Sequence, residues 1–133
     1  MIAPILLNAW EGGTPAGVFS DFDGDRWSSY REEGAIPVEE KPEYQGVEIL
    51  LASYGQGSYE GDAFVLFRRD GKLYEVSGGH CSCYGLEGQW EPEETTVDAL
   101  RYRVEHGSLG ADNYCGNEFA PDLTKLLDAL SSE

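Results

Sequence analysis

The sequence predicts an α+β domain: an antiparallel β-meander of three or more strands, with two C-terminal helices packed on one face. Three observations predict it. Residues 46–79 alternate apolar, strand-like runs with turn residues; Asp70-Gly71 stands between two of those runs; and beyond residue 94 apolar residues recur at helical spacing. Strands followed by helices, rather than alternating with them, point to α+β. At 133 residues the chain reads as a single domain, 1–133. Its parts are an irregular acidic N-terminal stretch (1–45), a sheet (46–79) and a helical part (94–131).

Residues 1–45 carry the weakest pattern. A short apolar start, Ile2-Ala3-Pro4-Ile5-Leu6-Leu7, is followed by a glycine- and proline-rich link over 12–17 and then by acidic residues. Gly34 and Pro37 break any helix there, so a strand or two and much loop are expected. Residues 47–54 read as a strand and 55–58 as a turn. The apolar run Ala63-Phe64-Val65-Leu66-Phe67 is that of a central strand buried on both faces. Asp70-Gly71 then suits a tight turn with positive φ, and residues 72–77 return as the hairpin partner. A helix is expected over 94–107, capped by Thr95 or Thr96, with Val97, Leu100 and Val104 on one stripe and Gly107 at its end. Pro121 opens a second helix, along which Leu123, Leu126, Leu127 and Leu130 follow at three- and four-residue steps.

Charge is the strongest bulk property. The chain holds 25 Asp and Glu against 9 Lys and Arg, a formal net charge of −16. With 41% hydrophobic residues it is not a disordered acidic tail. One reading is a solubilising surface; because solubility needs a net charge of only about 2–8 in a small domain, the other is a surface made to meet a basic partner. Arg68, Arg69 and Lys72 form the one small basic group, so direct nucleic-acid binding is not expected. No apolar run reaches the roughly 18 residues of a membrane helix. The start lacks the basic flank and cleavage pattern of a signal peptide, so a cytoplasmic location is expected. Three cysteines, an odd number, argue against a disulfide framework.

Candidate sites fall in three places. The first is the stretch Gly78-Gly79-His80-Cys81-Ser82-Cys83-Tyr84-Gly85-Leu86-Glu87-Gly88-Gln89-Trp90. His80, Cys81 and Cys83, with Cys115 further along, make a zinc ligand set, although the one-residue gap between Cys81 and Cys83 is tighter than zinc knuckles use. The bland reading is small thiols buried in a glycine-rich turn. The second is the calcium-loop pattern over 21–32, with Asp21, Asp23, Asp25 and Glu32 at the side-chain ligand positions. Arg26 stands where that loop needs glycine, and the flanks do not read as helices, so an acidic surface loop is favoured. The same residues look like the first motif of haloacid-dehalogenase phosphatases, a resemblance that would make Val18-Phe19-Ser20 the end of a strand. Asp25 replaces that family's threonine and the following sheet reads as antiparallel, so no nucleophile or acid is assigned to Asp21 or Asp23. The third is a contact surface of aromatic and acidic residues: Tyr59, Glu60, Glu87, Glu91, Glu93 and Glu94, joined by Asp21, Asp23 and Asp25. For Tyr74 and Trp90, packing along the sheet is the stronger reading. No acid–base or nucleophile set is complete, so an enzyme is not expected.

The segment from about 54 to 100, above all the run from His80 to Trp90 continuing into Glu91-Pro92-Glu93-Glu94, resembles small proteins of tailed bacteriophages and prophages. The resemblance covers about a third of the chain and implies action in the bacterial host cytoplasm. By analogy of class it implies a non-enzymatic inhibitor of a host nucleic-acid-handling or defence complex (restriction, CRISPR or transcription), acting by DNA mimicry on a basic surface. The alternative from the residues is a small zinc-binding structural or regulatory domain built on His80, Cys81 and Cys83.

Overall fold

The computed structural model describes residues 4–8, 10–22, 42, 44–55, 60–81, 86, 89–107, 109–112 and 117–131; at Ser20, Glu60, His80, Cys81, Ala111 and Asp112 only the backbone is described. A five-stranded sheet runs in the order β1 (Ile5–Asn8), β2 (Glu48–Tyr54), β3 (Glu60–Arg69), β4 (Lys72–Cys81), β5 (Glu93–Thr95). The pairs from β2 to β5 are antiparallel, as the meander requires. The β3–β4 hairpin closes through Asp70 and Gly71, both at positive φ (53° and 78°), which is the primed turn that suits the twist of the strands it joins. The chain ends in α2 (Val97–His106), a β6–β7 hairpin (Ala111–Asp112 and Asn117–Glu118) and α3 (Ala120–Ser131). The domain is α+β, with the two C-terminal helices on one face of the sheet.

The N-terminal part departs from the expectation. β1 pairs with β2 in parallel, Ile5 opposite Leu51 and Asn8 opposite Tyr54. A parallel neighbour needs a crossover connection, and the helix α1 (Pro15–Phe22) lies in it. Residues 18–20, expected to end a strand, are helical. The reason is local. The Thr14 hydroxyl accepts the Gly17 N–H (3.3 Å) and its carbonyl accepts the Val18 N–H, so Thr14 caps the helix and Pro15 occupies the first position. Val18, Phe19 and Phe22 then share one buried face.

Each face of β3 has its own cover, because the strand is buried from Ala63 to Phe67. On one side Ala63, Val65 and Phe67 join Ile49, Ala52 and Val76 beneath α1, Trp10, Tyr44 and Leu86. On the other, Phe64 and Leu66 join Leu50 and Leu51 beneath Leu100 of α2 and Leu123, Leu126 and Leu127 of α3. The register shift between Ile49 and Leu51 explains why two consecutive leucines point the same way: Leu50 is the extra residue of a β-bulge. β5 also begins within the stretch expected to be helical, and α2 starts only at Val97. Its cap is Thr96, whose hydroxyl accepts the Ala99 N–H at 3.1 Å.

The glycine-rich stretch after the hairpin does structural work over its described residues. β5 covers only Leu73–Glu75 of β4. Further along that edge the Gln89 carboxamide takes the place of a strand: its Oε1 accepts the Gly79 N–H and its Nε2 donates to the Gly79 carbonyl, both at 2.8 Å. Leu86 is buried, and Trp90 stacks on Phe67 (5.3 Å, 13°) with its ring edge-on to Phe22, Phe19 and Tyr44. Tyr74, the cross-strand neighbour of Phe67 on the same face, also stacks on it (5.3 Å, 20°). Gly78 permits this fit. A Cβ there would lie 2.9 Å from Leu86 Cδ2, 3.2 Å from Gln89 Oε1 and 3.4 Å from Phe22 Cε1.

Two effects oppose each other in Gly78→Ala. Removing a strand glycine favours folding by about 0.5–1 kcal/mol, whereas overpacking a core costs about 1–3 kcal/mol. Leu86 and Phe22 are each 1% exposed and have no free space to move into, so overpacking wins. Urea unfolding should show Gly78→Ala less stable than wild type; equal or greater stability contradicts the clamp. Trp90→Ala should lose more, about 3–5 kcal/mol, because it empties the centre of an aromatic cluster.

Candidate functional site

Three of the predicted contact acids, Glu91, Glu93 and Glu94, lie on the rim of the sheet. Glu91 and Pro92 lead into β5, and Glu91, Glu93 and Glu94 are exposed. Their strand is short but fixed at both ends, by Gln89 and Trp90 on one side and by the Thr96 cap on the other. The pairing separates the acids. Glu93 stands opposite Glu75 and Glu94 opposite Tyr74, so successive side chains emerge on opposite faces. A flat patch containing both is therefore not formed; together with Glu91 they form a ridge along the edge.

Glu93 and Glu75 are like charges directly across the ladder, an arrangement that is destabilising by itself. Arg103 of α2 relieves it. Its Nη1 lies 2.8 and 2.6 Å from the two Glu75 oxygens, and Glu75 is much the less exposed partner. Two other arginines are likewise held by carboxylates: Arg68 by Glu48 at 3.0 Å and Arg101 by Asp128 at 2.9 Å. Arg68 belongs to the small basic group near the hairpin turn, so part of that group is neutralised within the fold.

Asp21 lies in the last turn of α1 and accepts the Trp10 indole N–H at 2.7 Å. A helix does lead into the calcium-like pattern, contrary to the reading of its flanks, and one oxygen of its first position is engaged by the indole. Asp23, Asp25 and Glu32 lie outside the described residues. So do Tyr59, Cys83, Glu87 and Cys115, and the side chains of Glu60, His80 and Cys81. The backbones of His80 and Cys81 end β4 opposite Gly61 and Glu60. Among the described residues no group of three or more His, Cys, Asp or Glu side chains is placed to hold a metal ion. No helix among them is long and apolar enough to cross a membrane.

Sequence reasoning missed a buried polar chain at the carboxyl ends of the parallel strands. Asn8, at φ 58°, donates from Nδ2 to the Ser53 hydroxyl at 2.7 Å; that hydroxyl donates to Asn117 Oδ1; and Asn117 Nδ2 donates to Asp62 Oδ1 at 2.9 Å. Ser53 and Asn117 are buried, and Asn117 packs on the backbone of Gly55, whose N–H donates to the Asp62 carbonyl at 2.8 Å. Carboxyl ends of parallel strands often bind ligands. Here, however, the polar atoms satisfy one another, and no buried side-chain polar atom among the described residues lacks a partner. With its residue fully buried, the Ser53 hydroxyl is not placed to attack a substrate. The chain instead clasps β1, β2, β3 and β7 together. Single polar residues at positions 8, 53, 62 and 117 carry no periodicity, which is why the sequence did not reveal it.

Comparison with known proteins returned no matching family model, no matching curated protein and no matching solved structure.

The clasp makes a directional prediction. Asn117→Ala removes the acceptor for Ser53 and the donor to Asp62 and should cost about 1–3 kcal/mol in denaturant unfolding near neutral pH. Asn117→Asp keeps the shape but sets a carboxylate against that of Asp62, so it should cost at least as much as alanine. A milder loss for the aspartate variant contradicts this donor–acceptor order.

Proposed function

We propose that this protein is a non-enzymatic binding protein whose acidic surface occupies a basic, nucleic-acid-binding surface on a partner protein. The partner is a host nucleic-acid-handling or defence complex, and the acids take the place of phosphates there. One observation carries the reading. The exposed carboxylates Glu91, Glu93 and Glu94 stand on a rim that the fold holds at both ends, and Arg103 is engaged by Glu75, the residue opposite Glu93 in the ladder. A fixed row of charges loses little freedom on binding, whereas the same charges on a loose tail would lose more. The net charge of −16 adds long-range steering toward a cationic partner.

Exposed acids also serve solubility, and each alone is compatible with that role. What distinguishes a contact surface is loss of binding when specific charges are reversed. The wild-type protein should capture a nucleic-acid-binding complex from nuclease-treated bacterial lysate at low salt and release it at high salt, because exposed charge pairs are screened. Replacing Glu91, Glu93 and Glu94 together by lysine should abolish capture while leaving the fold intact. Capture that survives both the triple reversal and high salt sinks the proposal.

A further inference from the structure

We infer that the outer face of α2 is the anchoring point for a cationic, arginine-bearing protein surface, with Tyr102 at its centre. This deepens the acidic-binding reading and rests on it.

The face is defined by what α2 turns inward. Leu100 is buried, and Val97 and Val104 pack beside it against the sheet and α3. Arg101 and Arg103 leave the helix on its flanks, where Asp128 and Glu75 hold them. Asp98, Ala99, Tyr102, Glu105 and His106 remain exposed, and steps of three and four put them on one surface. Tyr102 is 64% exposed, the one large hydrophobic residue so exposed among those described. His106, one turn on, stacks against its ring at 4.4 Å and 20°, which restricts the aromatic group before any partner arrives.

Two features of this face run against the needs of the helix itself. A large aromatic ring gains nothing from burial at 64% exposure. Glu105 sits in the last turn, where the helix dipole disfavours a carboxylate. Asp98 in the first turn suits the dipole and alone would need no further reason. Local choices that oppose the fold concentrate at functional positions. An aromatic face between carboxylates is chemically suited to a guanidinium, which stacks on the ring while its N–H groups meet the acids. Both arginines of α2 are already engaged by internal acids, and His106 covers one side of the Tyr102 ring, so a guanidinium would meet the part of the ring that His106 leaves open.

The experiment is binding of a short alternating Arg-Ala peptide to the full chain at low salt, followed by calorimetry and by amide chemical shifts. Wild type should bind with shifts on Asp98, Tyr102 and Glu105. Tyr102→Ala should weaken binding about tenfold, the loss typical of an aromatic anchor. Tyr102→Phe should retain binding, and the double variant Asp98→Asn, Glu105→Gln should lose it. These positions are exposed, so the variants should unfold at the wild-type denaturant midpoint. If wild type binds and Tyr102→Ala binds equally well, the α2 anchor is wrong while the acidic-binding reading stands. If wild type binds neither this peptide nor any basic complex in lysate, both fail.

Discussion

Burial of β3 on both faces is the constraint from which the rest of the architecture follows. A strand apolar from Ala63 to Phe67 exposes hydrophobic area on two sides, and one layer of helices can cover only one of them. α2 and α3 close the side of Phe64 and Leu66, while α1, Trp10, Tyr44, Leu86 and Trp90 close the side of Val65 and Phe67. The parallel strand β1 is part of the same solution, with Leu6 turned to one cluster and Ile5 and Leu7 to the other. The fully buried parts of both sheet faces hold no charged side chain, and the exposed acids lie on the rim, on the outer helix faces and at turns. The acidic ridge at β5 and the exposed face of α2 are consequences of the same layering that fills the core.

The balance of energies shows why the glycine-rich stretch is distinctive. A helix cap contributes about 1 kcal/mol, whereas a large aromatic at the centre of a core contributes about 3–5 kcal/mol. Trp90 is half-buried but meets Phe19, Phe22, Tyr44 and Phe67, so it supports the α1 face more than a cap does. Gly78 and Gln89 are the residues that let it lie against β4. An unusual motif is therefore partly explained by packing, and its distinctiveness is not by itself evidence of a ligand.

Legibility in the sequence followed the strength of periodic signals. β2, β3, β4 and the leucine stripe of α3 are long and strongly patterned, and Asp70-Gly71 fixes the hairpin chemically; all lie over the stretches expected, although β3 starts earlier, at Glu60, and β4 runs on to Cys81, into the glycine-rich stretch read as a turn. α1 is short, follows two glycines and contains a third, which weakens the Thr14-Pro15 start signal, and the phosphatase-like motif after it points to a strand instead. β5 was absorbed into the helix because three exposed residues hold no pattern of their own. The parallel placement of β1 depends on residues more than forty positions away, beyond any local rule. At the site, the exposure of Glu91, Glu93 and Glu94 followed their charge, but their division across the two faces of β5 needed the register. Tyr102 sits in a helical stretch whose inward stripe was legible, and its exposure follows by elimination from that stripe.

Native-state hydrogen exchange tests most directly whether the two covers of β3 form one cooperative unit. Amides of Val65, Leu66 and Val76 should exchange only through global unfolding, with a free energy equal to that from denaturant unfolding. Trp90→Ala on one face and Leu100→Ala on the other should each lower all three protections by its own loss of global stability. If Trp90→Ala leaves these amides protected while α1 alone becomes exchangeable, the α1 face is a separable attachment and β3 does not depend on both covers.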